Sequence, residues 1–378
     1  MNVIIGSVGL SRYTGCLSPV YYVLTRRSEA DNPRYLNSVF QTKPFQLSLV
    51  RIGNGIMAHR MRIPMELLKC EPFPVPPSDE QAAIVRFLDH ANARIERAIR
   101  AKKKLMALLN EQRQAIIHRA VTRGLNPKVP LKPSGIPWLG DIPKHWEVWR
   151  ISRFARVGNG STPSRGKPAY WNGGSFPWLN SSQVNRGFID SADQFITQAA
   201  LRECHLPRVP VGSVLVAITG QGKTRGTAAV LGFEATINQH IAFITPRALI
   251  VSPEFLHLTL SVAYQTLRAL SEDSGSTKGA LTCADLKRFK VALPPLREQA
   301  ALVEYIRGET LTLNTALART EREIGLLREY RTRLIADVVT GKLDVRAAAR
   351  QLPEEAGELA DTSGGSDSSD SSDEGSVE

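Results

Sequence analysis

The 378-residue sequence predicts an α+β fold in which two globular regions alternate with two long helices. A duplicated segment, a heptad-type seam in each copy, and strand and turn signals between the copies carry that prediction. Residues 76–81 read Pro-Pro-Ser-Asp-Glu-Gln and residues 294–299 read Pro-Pro-Leu-Arg-Glu-Gln, an offset of 218. The same offset pairs Leu108-Leu109 with Leu326-Leu327, Glu111 with Glu329, Arg113 with Arg331, and Val121-Thr122 with Val339-Thr340. A period this long marks a duplicated module rather than a solenoid.

Steps of three and four residues trace an apolar seam in each copy. In the first it runs through Val85, Leu88, Ile95, Ile99, Leu109 and Ile116. In the second it runs through Val303, Ile306, Leu313, Leu317, Ile324, Leu327 and Leu334. Polar residues interrupt both seams at matching places: Asn92 with Thr310, Lys102 with Thr320, and Arg113 with Arg331. Such matching suits two helices packed on each other in one register. Ser78 fits an N-cap with Gln81 at the capping-box position, and Gly124 and Gly341 fall where C-terminal caps belong. At 1.5 Å per residue such a helix is about 65–70 Å long, which suits a spacer better than a small core.

The expected organisation is a short globular region over 1–75, a first long helix with its flanks over 76–126, and a Pro/Gly-rich linker over 127–149. A second globular region over 150–293 precedes the second long helix at 294–345 and an acidic tail at 346–378. In the first globular region a helix is expected near Arg34–Thr42. The second begins with turn signals, Gly158-Asn159-Gly160-Ser161-Thr162-Pro163 and Asn172-Gly173-Gly174. Strand-like runs at Ser213–Thr219 and Ile241–Thr245 follow, then a helix from about Pro253 to Ser271. The repeat extends into these regions with slight drift: Ser18–Leu24 resembles Asn238–Ile244, and Asp31–Leu36 resembles Val251–Leu256. Met1 falls opposite about residue 219, so nothing in the first region corresponds to residues 134–218.

The formal net charge is +12, unevenly spread. Nine of the 36 acids lie in residues 354–378, leaving 48 bases against 27 acids, a net +21, over residues 1–353. So basic a body suits a polyanionic partner, with a solvated basic surface as the plainer reading. The Ser/Asp-rich tail is expected to be disordered. No apolar run is long enough to span a membrane, and the N-terminus lacks the basic stretch of a signal peptide. Four scattered cysteines without a CxxC pair give no support to a disulfide framework or a zinc site, and a reducing cytoplasm is the default.

No catalytic constellation stands out. Gly220-Gln221-Gly222-Lys223-Thr224 resembles part of a phosphate loop, but Ala217 stands where its first glycine belongs, so a flexible basic loop is the better reading. Three groups combine base-edge hydrogen bonders with cations: Ser161, Thr162, Ser164, Arg165 and Lys167; Gln183, Asn185 and Arg186; and Gln221, Lys223, Thr224 and Arg225. Gln and Asn suit adenine edges, Arg suits guanine, and Lys or Ser suits phosphate. All five tryptophans lie between Trp138 and Trp178, as core packing or as base-stacking platforms.

Further motifs are Glu111-Gln112-Arg113-Gln114-Ala115-Ile116-Ile117, residues 134–147 (Ser-Gly-Ile-Pro-Trp-Leu-Gly-Asp-Ile-Pro-Lys-His-Trp-Glu), and Tyr170-Trp171 followed by Pro177-Trp178. With the two Pro-Pro-x-x-Glu-Gln helix openings, in this order and duplicated, they make residues 1–350 resemble the specificity subunit of a type I restriction–modification system. The resemblance implies two α/β target-recognition domains held apart by two long helices packed as an antiparallel coiled coil. Each domain would read one half of a split double-stranded DNA site. The helices would dock methyltransferase subunits, and the assembly would recruit endonuclease/translocase subunits. The chain itself would be non-catalytic, with S-adenosylmethionine, ATP and Mg bound by those partners. Family members carry a Trp-Leu-Gly-x-Ile-Pro segment before each domain; here it occurs once, at residues 138–143. The first domain is therefore expected to be half present, through a misplaced start, a split gene or decay. The alternative role is a coiled-coil interaction protein, or a remnant, that binds methyltransferase without sequence-specific DNA binding.

Overall fold

The computed structural model describes residues 8–11, 13–18, 21–53, 63–220, 223–272 and 279–353. The acidic tail from residue 354 onward and Gln221 lie outside the described residues. The helices and strands, in chain order, are α1 (Pro33–Phe40), α2 (Lys43–Ile52), α3 (Met65–Leu68), α4 (Ser78–Arg123), β1 (Leu131–Pro133), β2 (Asp141–Pro143), β3 (Glu147–Arg150), α5 (Ile151–Phe154) and β4 (Ala155–Asn159). They continue with β5 (Phe176–Leu179), β6 (Phe188–Ile189), β7 (Gln194–Ile196), α6 (Gln198–Glu203), β8 (Val214–Ala217), β9 (Ala228–Leu231), β10 (Thr236–Ile237) and β11 (Ile241–Pro246). The last are α7 (Pro253–Val262), α8 (Tyr264–Glu272), α9 (Cys283–Arg288), β12 (Lys290–Leu293), α10 (Leu296–Val339) and α11 (Arg346–Arg350). Two compact units divide the chain: residues 1–104 with 320–378, and residues 105–319. Each unit holds part of both long helices.

The 46 residues of α4 and the 44 of α10 are continuous helices, as the seams predict. Within each unit their segments run antiparallel. In the first, Arg331 lies 3.6 Å from Glu96 and Lys102 lies 2.6 Å from Glu323. In the second, Arg113 donates to Asn314 Oδ1 at 3.1 Å, and the α-carbon of Gly124 sits against the Glu298 side chain. Val85, Leu88, Ile95, Ile99, Ile306, Leu317, Ile324 and Leu334 are buried, whereas Leu109, Ile116, Val303, Leu313 and Leu327 are half-buried. Beside these, Ile117 and Leu302 are buried, so the contact line moves by one residue, as an α-helix does against a strict seven-residue repeat. The charged seam residues Lys102, Arg113 and Arg331 find their partners in Glu323, Asn314 and Glu96. Arg113–Asn314 and Arg331–Glu96 occupy one site of the repeat, since 96 and 314 also differ by 218. Because Lys102 and Glu323 are only partly shielded, a double-mutant cycle with Lys102→Met and Glu323→Leu should give a coupling of about 0.5–1 kcal/mol.

The helix openings differ from expectation. Gln81 is not a capping-box partner: its Oε1 accepts from Asn32 N–H at 2.9 Å and its Nε2 donates to Pro76 O at 2.8 Å. Its counterpart Gln299 does the same in the second unit, accepting from Ser252 N–H and donating to Pro294 O and Ile250 O, each at 2.9 Å. The Pro-Pro-x-x-Glu-Gln motif therefore ties the start of each long helix to the N-cap of a short one, α1 or α7. Asn32 and Ser252 cap those helices through their side chains, each ahead of a proline at the first helical position. Gly124 and Gly341 take positive φ at the ends of the long helices, as expected.

In the second unit, the five-stranded sheet has the order β4-β11-β8-β9-β6. β11 is antiparallel to both β4 and β8, β8 is antiparallel to β9, and β6 is parallel to β9. Both faces are covered, so β8 and β9 are apolar throughout. Val214, Val216, Ala242 and Ile244 face a core shared with Trp146, Phe154, Phe255, Leu260, Leu302 and Ile306. Leu215, Ala217, Ile241 and Phe243 face a second core with Leu179 and Ile189. A three-stranded sheet, β10-β5-β7, carries a smaller cluster around Trp178 and Tyr170, and β12 pairs with β3.

Two expectations need correction here. The Gly158-Asn159 turn is the end of β4; its glycines admit close neighbours, since a Cβ on Gly160 would lie 1.7 Å from Ile237 O. The single helix expected from Pro253 to Ser271 is broken at Ala263. Thr259 and Ser261 hydroxyls donate back to Phe255 O and His257 O just before the break, competing with the helix ladder. In the first unit α2 follows α1 directly, a second helix absent from the sequence reading.

Candidate nucleic-acid interface

Sheet register brings the three polar groups to one edge of the second unit. β4 ends at Asn159 opposite Ala242, β8 ends at Ala217 opposite Ile241, and β5 ends at Leu179 opposite Ile237. The loops after residues 159, 179 and 217 thus all leave beside residues 237–242.

The first loop is pinned by indoles and presents an arginine. Trp178 Nε1 donates to Ser161 O at 3.2 Å, and Trp171 Nε1 donates to Ser164 O at 3.0 Å. The Arg165 guanidinium lies 3.9 Å from the Trp171 ring centre and 5.0 Å from that of Trp178, and it donates to Gln194 Oε1 at 2.8 Å. Stacking on the indoles orients this exposed planar cation. Thr162 donates to Gln239 Oε1 at 2.6 Å. Lys167 Nζ bonds both Glu203 Oε2 and Tyr170 OH at 2.8 Å; the Glu203 bond is foremost in holding the ammonium above the ordinary lysine range. Glu203 is held below the ordinary carboxylate range, chiefly by Lys167.

The second and third loops meet. Asn180 caps a 3-10 turn over Ser181–Arg186. Asn185 Nδ2 donates to Thr224 Oγ1 and its Oδ1 accepts from Thr227, both at 3.4 Å. Arg186 is exposed, 3.4 Å from Asp193, and Lys223 is exposed with its carbonyl accepting from Tyr264 OH at 2.8 Å. Two predicted residues are internal instead. Gln183 is 2% exposed. Arg225 is 5% exposed, donates to Gly279 O at 2.8 Å and lies 3.2 Å from Glu272. The Arg225 contacts hold its loop to α8 and turn that side chain away from the surface.

Residues not singled out from the sequence complete the edge. Gln239 and His240 are exposed between β10 and β11; His240 Nδ1 lies 2.8 Å from Thr219 Oγ1, and Gln239 Nε2 lies 3.3 Å from His240 Nε2. A polar chain Thr162–Gln239–His240–Thr219 therefore joins the first loop to the base of the third. The sequence signal was Asn238-Gln239-His240, a polar triplet between two apolar runs. Of the tryptophans, Trp146 and Trp178 are core residues, whereas Trp138, Trp149 and Trp171 are half-buried.

The second unit thus presents a polar, cationic loop edge on a strand frame. Residues 143–319 match the family model of the type I restriction modification DNA specificity domain. The chain is 26% identical over 264 residues to the EcoR124I/EcoR124II specificity subunit of Escherichia coli, covering 68% of this chain and 59% of that protein. It is 30% identical over 171 residues to the MjaIX specificity subunit of Methanocaldococcus jannaschii, covering 44% of this chain and 38% of that one. The chain thus spans less than two thirds of the length of these curated relatives. Its fold is similar to a chain in a solved structure of the type I R-M system, with a TM-score of 0.58, 17% identity, and coverage of 82% of this chain and 72% of that one. Residues 143–319 are thus similar to a type I restriction modification DNA specificity domain, and the chain as a whole resembles the specificity subunits of such systems.

Proposed function

We propose that this chain is the DNA-reading subunit of a type I restriction–modification complex and that the loop edge of its second unit reads one half of a split site. The observation that carries the reading is the convergence of three loops on residues 237–242, which sets Arg165, Lys167, Arg186 and Lys223 with Thr162, Asn185 and Gln239 along one edge. Arg165 suits a guanine edge, Asn185 and Gln239 suit adenine, and Lys223 suits phosphate. The α4–α10 pair would dock methyltransferase subunits, and the assembly would recruit the endonuclease/translocase subunits. The chain is non-catalytic in this reading and works in the cytoplasm, with S-adenosylmethionine, ATP and Mg bound by its partners.

The test is binding of target and non-target duplexes by the assembled complex, across a salt series. Lys223→Ala should weaken both duplexes alike and lower the salt slope by about 1. Arg165→Ala should weaken the target by about 10-fold and narrow its preference over non-target DNA. Unchanged affinity in both variants removes this edge from the interface. Methyltransferase capture without sequence-selective binding would instead mark an interaction protein.

A further inference from the structure

The solvent face of α4 carries a run of cations that its repeat partner lacks. Arg86, His90, Arg94, Arg97, Arg100 and Lys104 fall within about a third of the helix circumference, opposite the seam of Val85, Leu88, Ile95 and Ile99. Arg94, Arg97, Arg100 and Lys104 are exposed, and Arg86 and His90 are half-buried. The acids between them lie off this face. Asp89 is 3.0 Å from Arg34, and Glu96 is 3.6 Å from Arg331 and 3.9 Å from Arg100. The positions 218 further on, in α10, are Glu304, Gly308, Thr312, Thr315, Ala318 and Arg322, which carry no net charge. Packing of the helix pair therefore does not call for the cations of α4, and like charges three and four residues apart cost helix stability.

The chain after α10 runs toward this face. Arg346, at the start of α11, lies 3.8 Å from Glu80, and six residues on, Leu352 O accepts from Arg86 Nη2 at 2.6 Å. Between those contacts the chain advances along α4 in the direction of Lys104. Val345 and Ala349, each 3% exposed, anchor α11 in that course. Residues 354–378, which lie outside the described residues, carry nine acids and no base. Arg86 to Lys104 is a rise of about 27 Å along the helix, and an extended chain from Pro353 to Asp361 reaches about 26–29 Å. Glu354, Glu355, Glu358 and Asp361 thus have the length to face the cations from end to end.

We propose that residues 354–378 lie along the solvent face of α4 as an intramolecular polyanion, with Glu354–Asp361 set against Arg86–Lys104, and mask those cations from other polyanions. Single exposed ion pairs are weak, but tethering supplies an effective concentration of about a millimolar and the pairs act together. The contact weakens as salt rises. α11 and the cationic face both belong to the first unit, so the proposal does not depend on the reading role of the loop edge in the second.

The experiment treats the 378-residue chain with a carbodiimide, which joins a lysine amine to a carboxylate without a spacer. Peptide mass spectrometry should find Lys104 joined to an acid of residues 358–367 within one chain, and about 0.5 M NaCl should abolish the product. In a second arm, a fluorescein-labelled peptide of residues 354–378 is titrated into the chain. It should bind a form whose nine acids in that segment are amides, as in Glu358→Gln and Asp361→Asn, at least about 10-fold tighter than the unaltered chain, whose own segment competes. Adding Arg94→Glu, Arg97→Glu and Lys104→Glu to the amide form should abolish that binding. All three positions are exposed, so the helical circular dichroism persists. Cross-links to Lys43, Lys69 or Lys342 in place of Lys104, links only between two chains, or no link at all overturns the proposal. So does peptide binding that is equal in the unaltered and amide forms or indifferent to the three reversals.

Discussion

Replacing Trp146 by alanine should lower the stability of the second unit by about 3–5 kcal/mol, the range for removing a fully buried large aromatic. Trp146 is completely buried among Ile142, Ile151, Phe154, Leu302 and Ile306, and its indole N–H donates to Glu298 Oε1 at 3.1 Å. The substitution therefore leaves a cavity and strands a carboxylate oxygen that also faces Gly124. Urea unfolding followed by circular dichroism measures the loss. Trp138→Ala is the comparison: that ring is half-buried, 5.8 Å from Phe289, and should cost roughly 1–2 kcal/mol. Equal effects from the two would contradict the central place given to Trp146.

Gln299→Leu should cost about 3–5 kcal/mol by a different route, since it creates no large cavity but leaves three backbone groups without their partner. Ser252 N–H, Ile250 O and Pro294 O all bond the Gln299 carboxamide, which is completely buried. Gln299→Glu should be no milder near neutral pH, because a carboxylate would confront two carbonyl oxygens. Protonation restores one donor, so the deficit of Gln299→Glu should shrink as pH falls through the carboxylate range. Gln81→Leu, which removes two bonds, should be the gentler change in the first unit. Thermal unfolding of the three variants at pH 5 and pH 8 checks the order; a neutral Gln299→Leu would sink this account of the motif.

These two residues also mark how far the sequence could be read. Both long helices were legible because their signal is local: apolar residues three and four apart lie on one face whatever surrounds them. Gln81 sits in the right motif but reads locally as a capping-box residue, because its true partner, Asn32, lies 49 residues upstream, as Ser252 lies 47 residues upstream of Gln299. Sheet register was hidden for the same reason. β8 and β11 were visible as apolar runs, but nothing local reveals that Ala217 lies opposite Ile241 or Leu179 opposite Ile237. The loop edge was accordingly legible as composition and not as geometry. Arg165 and Lys223 reached the surface, whereas Arg225, of the same residue class and in the same loop as Lys223, turned inward to Gly279 and Glu272.

β11 sits between two antiparallel neighbours with both faces covered, while the polar loops hang from strand ends beside it. Amides of Ala242 and Ile244 should then exchange with deuterium only when the whole unit opens, and those of residues 161–167 should exchange through small local openings. Frame and loops should therefore open independently. Selection could rewrite the loop side chains repeatedly while leaving untouched the cooperative block that keeps the molecule folded.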